Sequence, residues 1–144
     1  MRPLTIDLDE LAFALNTNGE DLDHYLDLLS GKVLLMYSEV PDPEVADLLE
    51  SEPERMLLIE PITSATGFTI MEDFIQTVTQ QEIYLALEHA LSGRKPFRTF
   101  KNVLMGYPDV LQAWYTFEAN AIRQLARDWL EENDLYPANE PRDA

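Results

Sequence analysis

Apolar positions repeat with two periods along the chain. Up to about residue 60 they come in short runs broken by turn residues, and from Ser64 onward they recur every three or four residues, the spacing of amphipathic helices. At the N-terminus Leu8, Leu11, Ala12 and Leu15 fall on one helical face. Asp7 is placed to cap this helix, with Glu10 as its capping-box partner and Ile6 stapled against Leu11, and Asn18-Gly19 signals the turn that ends it near Asn16. Two apolar runs then flank Ser30-Gly31, which predicts a hairpin with strands near His24 to Leu28 and Lys32 to Tyr37; the first run, DLDHYLDLL, also fits helical spacing. A short helix from Glu44 to Glu50 lies between prolines, and MLLIEP reads as a third strand.

In the second half Phe68, Met71, Ile75 and Val78 form one stripe, with Glu72, Asp73 and Gln76 off it. Thr79 and Glu82 have capping-box spacing before a helix that turns Ile83, Ala86, Leu87 and Ala90 inward and stops at Gly93. Pro96 suits the first turn of the next helix, Gly106 its end, and Pro108 the first turn of a long last helix reaching about Asn133. The expected architecture is α+β: an N-terminal helix and a small antiparallel sheet of about three strands, then a helical half of about four helices. A single domain is expected over residues 1–144, divided into 1–60, 61–135 and a fraying tail from 136.

Composition changes this picture mainly through charge. Acids outnumber bases 27 to 10, and the net charge of -17 argues against nucleic acid or anionic lipid over most of the surface. Residues 1–60 hold fifteen acids against three bases, Arg2, Lys32 and Arg55. The chain has no cysteine, which removes disulfides, thiolate nucleophiles and cysteine-ligated metals. His24 and His89 share no ligand spacing, and Asp21, Asp23 and Asp27 lack the glycine and glutamate of a calcium loop, so no metal site and no cofactor are expected. The early acids Asp7, Asp9 and Glu10 break up any signal peptide, no segment is apolar enough to span a bilayer, and a cytoplasmic address is expected.

Against this acidity, Arg94, Lys95, Arg98 and Lys101 place four of the ten bases within eight residues. Phe97, Phe100 and Leu104 share the apolar face of the same helix, with Lys101 at its border and Arg98 well outside. Bases at a helix start add to the positive end of the helix dipole and favour a phosphate or carboxylate. The competing reading is pairing with the acidic surface of the domain or of a second subunit, or plain solvation. On the last helix Glu118 falls near the centre of an apolar face formed by Trp114, Phe117, Ile122 and Trp129; there it needs a cation such as Arg98 or Arg94, several hydrogen bonds or a proton, unless packing leaves it at an exposed edge. Most of the aromatics after Pro96 have core spacing, which leaves Tyr107 and Tyr115 as possible stacking platforms.

The stretches IEPITSATGFTIMEDFI, FRTFKNVL, YPDV, WYTF and ARDWLEEN resemble the bacterial uncharacterised protein family UPF0158, with the match running from about Met56 to Asn133 and the N-terminal helix and SGKV hairpin also similar. The resemblance implies the fold derived above. It transfers no role to the motif positions Glu72, Asp73, Arg98, Lys101 and Trp114.

The expected function is therefore a non-enzymatic protein-interaction or regulatory domain, engaging a protein partner or a second copy through its segregated charge. Two other readings stay open: nucleotide or single-stranded RNA binding at residues 94–117, and an enzyme using Glu118 as its acid or base.

Overall fold

The computed structural model describes residues 2–17 and 19–138. Asn18, half of the expected turn signal, and residues 139–144 of the expected fraying tail lie outside the described residues. The elements run β1 (Arg2–Leu4), α1 (Leu8–Leu15), β2 (Leu22–Asp27), β3 (Val33–Tyr37), α2 (Pro43–Ser51), β4 (Met56–Ile59), α3 (Ser64–Ile75), α4 (Gln81–Ser92), α5 (Pro96–Met105), α6 (Pro108–Glu132) and β5 (Leu135–Pro137). The fold is α+β, and it divides into two compact units, Met1–Ile62 with Ile122–Ala144 and Thr63–Ala121.

The first unit is built on a three-stranded antiparallel sheet in the order β3-β2-β4. DLDHYLDLL forms a strand, not a helix: Leu26 lies opposite Val33 on one side and Leu57 on the other, and the ladder to β3 and β4 satisfies backbone groups that a lone helical turn leaves open. The register puts His24, Leu26 and Ile59 on one face, all buried. Leu8, Leu11 and Leu15 of α1 and Ala126 and Leu130 of α6 belong to the same core cluster. Gly31 closes the hairpin at φ 77°, and a side chain there would drive its Cβ to 1.8 Å from the Thr5 carbonyl oxygen, so only glycine fits.

Asp7 caps α1 as predicted, accepting from the amides of Asp9 and Glu10 at 3.0 and 3.2 Å. Glu10, expected to close a capping box, instead accepts from the Val33 amide of β3 at 3.2 Å, which ties the helix to the sheet. A parallel pair, β1 with β5, was not predicted; it joins Arg2–Leu4 to Leu135–Pro137 from opposite ends of the chain.

The second unit packs α3, α4, α5 and the first part of α6. The Phe74 ring meets Phe100, Trp114 and Phe117 edge to face, with centroids 5.3 to 6.4 Å apart. Its buried α3 face is Ile70, Met71, Phe74 and Ile75, shifted from the expected stripe because α3 ends at Ile75 and Val78 lies beyond it. The predicted Thr79 cap is also displaced: Gln80 occupies the N-cap of α4, and no side chain bonds the first-turn amides.

Candidate functional site

Arg94 and Lys95 form the turn between α4 and α5, Arg98 lies in the first turn of α5 and Lys101 in the second. Pro96 opens α5 because its ring fixes the helical φ and it has no amide hydrogen to leave unsatisfied. Phe100 and Leu104 then turn inward and are fully buried, which forces the intervening bases outward. All four are exposed. None has a carboxylate within ion-pairing distance among the described residues. In the first unit the bases behave differently: Arg55 pairs with Asp27 and Glu52, and Arg123 pairs with Asp9.

The start of α5, like that of α4, has no side-chain cap. Asp7, Asp42 and Thr63 each bond first-turn amides of α1, α2 and α3, but the N-cap of α5, Lys95, makes no side-chain cap bond. Lys95 also holds the left-handed conformation, φ 51° and ψ 56°, which costs a residue with a Cβ about 1 kcal/mol and which glycine adopts freely.

Phe97 departs from its expected place in the core. It is 41% exposed, and its ring edge lies beside Gly67 of α3. Met105, two turns on, is 71% exposed. Phe97, Lys101 and Met105 are four residues apart in turn and so share one face of α5, with Arg98 alongside. The i, i+4, i+8 spacing of Phe97 and Met105 around Lys101 was the signal in the sequence, but the apolar face containing Phe100 and Leu104 drew Phe97 into the core reading.

Glu118 is half-buried on α6. Burial pushes its carboxyl above the usual carboxylate range, and the positive charge of Lys101 pulls it partly back. Lys101, not Arg98 or Arg94, is thus the base that the fold sets against Glu118. Arg94, Lys95 and Arg98 stay apart from it and face solvent.

A separate cleft of about 320 Å³ lies between α3 and α4, with Phe68, Ile75 and Leu91 among its apolar walls and Glu72 and Glu88 on it. It contains none of the α5 bases. Among the described residues no group of three or more His, Asp or Glu side chains is placed to hold a metal ion, and no helix is long and apolar enough to cross a membrane.

These features define a small α+β protein with an acidic sheet-bearing unit and a helical unit whose one cationic helix face is open. The chain belongs to the uncharacterised protein family UPF0158, whose profile matches residues 1–142. It is 54% identical over 138 residues to a UPF0158 protein of Pseudomonas aeruginosa, an alignment covering 96% of this chain and 89% of that relative. No solved structure matches it.

Proposed function

We propose that this protein is a non-enzymatic cytoplasmic interaction domain that binds an acidic segment of a protein partner through the start and outer face of α5. The carrying observation is that Arg94, Lys95, Arg98 and Lys101 are all exposed with no carboxylate within ion-pairing distance among the described residues, only Lys101 having a longer-range partner in Glu118, in a chain with 27 acids. Phe97 and Met105 add apolar anchors on the same face, and anchors of that kind supply most of the energy at protein interfaces while charge supplies orientation and encounter rate. The uncapped first turn of α5 adds amide donors for a carboxylate. A lysine at the left-handed Lys95 position, where glycine is easier to fit, is consistent with a use for its charge.

The test is co-purification with wild type and with the Arg98→Glu, Lys101→Glu double variant. A defined partner should be recovered with the wild type and lost with the variant; equal recovery from both overturns the proposal. Binding of single-stranded RNA or a nucleotide at residues 94–117 is the second reading, favoured by the exposed ring of Tyr115 on α6. It requires affinity that falls steeply with salt, because phosphate contacts release counterions, and no binding at low ionic strength removes it. An enzymatic role would rest on Glu118 alone, and one half-buried carboxyl supplies a proton acceptor without a nucleophile.

A further inference from the structure

β3 is an edge strand of the three-stranded sheet. Asp27 donates its amide to the Lys32 carbonyl and Ser38 donates to the Asp21 carbonyl, each at 2.9 Å, so the even-numbered positions of this strand face β2 with their backbone groups. The amides and carbonyls of Val33, Leu35 and Tyr37 therefore point away from the sheet. Glu10 takes the Val33 amide, while Leu35 and Tyr37 have no backbone partner on that side among the described residues.

Proteins protect such edges with charges, prolines, bulges or very short strands. The β3 sequence, VLLMY, has no charge, no proline and no glycine, and the Leu35 and Tyr37 side chains are 41% and 49% exposed. On the opposite edge β4 is four residues long and runs into Glu60-Pro61.

We propose that β3 is a self-association edge, at which two copies of this chain pair β3 with β3 antiparallel about Leu35 and join two three-stranded sheets into one of six strands. The register selects a second copy. Centred on Leu35, it sets Leu35 against itself and Val33 against Tyr37 of the other copy, so the Leu35 and Tyr37 amides meet the outward carbonyls of Leu35 and Val33 while the Val33 amide stays on Glu10. Leu34 then lies opposite Met36, which gives apolar pairs at all five positions. Lys32 of one strand comes to Ser38-Glu39 at the end of the other, opposite in charge at both ends of the pair. The net charge of -17 on each chain opposes this contact, so the association is strongest at raised ionic strength, where that repulsion is screened.

The experiment is sedimentation equilibrium of the full chain at raised ionic strength, combined with amide hydrogen exchange at low and high protein concentration. A dimer is expected in which the Leu35 and Tyr37 amides become protected as concentration rises, while those of Leu34 and Met36, already bonded to β2, are protected throughout. A Leu35→Lys, Tyr37→Lys double variant should lose the dimer and keep its circular dichroism, and Tyr37→Phe should retain it. If the double variant does not fold, the wild-type exchange pattern decides alone. Three results overturn the proposal: a monomer at every concentration, a dimer whose Leu35 and Tyr37 exchange is independent of concentration, or edge protection that arises only when an extended peptide from another protein is added.

Discussion

Arg55 holds Asp27 with two nitrogens, Nε donating to Oδ1 at 2.7 Å and Nη2 to Oδ2 at 2.8 Å. Asp27 ends β2 and Arg55 immediately precedes β4, so the pair fixes the entry of one strand against the exit of its neighbour. The Asp27 carboxylate also accepts from the Leu29 amide at 3.0 Å and the Ser30 hydroxyl at 2.7 Å, which shapes the hairpin turn. With Asp27 buried, these donors, the guanidinium first among them, hold its carboxyl well below the usual carboxylate range.

Replacing Arg55 with Met leaves that buried carboxylate with only its turn donors. A loss of unfolding free energy is expected, because the buried Asp27 carboxylate is left without its counter-charge. The pH dependence has a fixed sign. Because the folded carboxyl binds its proton less readily than the unfolded one, the pair contributes fully above about pH 4 and loses its contribution as pH falls below that. Urea titrations between pH 7 and pH 2 should show a steep acid loss in wild type and a shallower one in Arg55→Met. Parallel curves for the two proteins would contradict this role for the pair.

His24, 4% exposed, sits in the centre of the sheet between Leu35 and Ile59, and its Nε2 has no hydrogen-bond partner. Burial lowers its proton affinity below the ordinary imidazole value near 6.5, against a smaller opposing pull from Asp23. The unfolded chain therefore binds the proton more readily than the folded one, and stability falls as pH drops below about 6.5, by up to about 1.4 kcal/mol per pH unit. His24→Leu should remove the fall between pH 6.5 and pH 5 while keeping the sheet intact. Thermal melts at several pH values in that window measure it, and an unchanged slope in His24→Leu would assign the acid sensitivity elsewhere.

Helix positions were largely legible from the sequence because periodicity, prolines and caps are local. Asp7, Pro96 and Pro108 occupy the helix starts that their chemistry predicts, and the hairpin follows from Gly31, whose left-handed conformation and close approach to Thr5 both require glycine. What the sequence concealed depends on remote partners. The pairing of Arg2–Leu4 with Leu135–Pro137 has no local signal in three-residue strands, and Glu10 shows its true acceptor role only once Val33 is beside it. At the candidate site the four bases were legible as a charge cluster. The choice of Lys101 as the base facing Glu118, and the exposure of Phe97, required the packing of α5 in three dimensions.

Glu118 offers a test of whether its carboxyl is tolerated or used. Burial favours its protonated form in the fold, so its folded proton affinity exceeds the unfolded one despite Lys101. The sign is opposite to that of Asp27. The protonated group's contribution is present below the unfolded carboxyl value, near pH 4, and is lost as pH rises through the folded one. Glu118→Gln keeps a neutral side chain of the same size, so it should match wild type near pH 4 and be more stable at pH 7. The gain should be no more than about 1 kcal/mol, because the carboxylate is only half-buried and solvent screens it. Lys101→Ala should widen the gap at pH 7 by removing the charge that offsets burial, and the Glu118→Gln background should abolish the effect of Lys101→Ala. Melting temperatures of the four proteins at the two pH values close this cycle; additive changes at Glu118 and Lys101 would show that the two side chains do not interact.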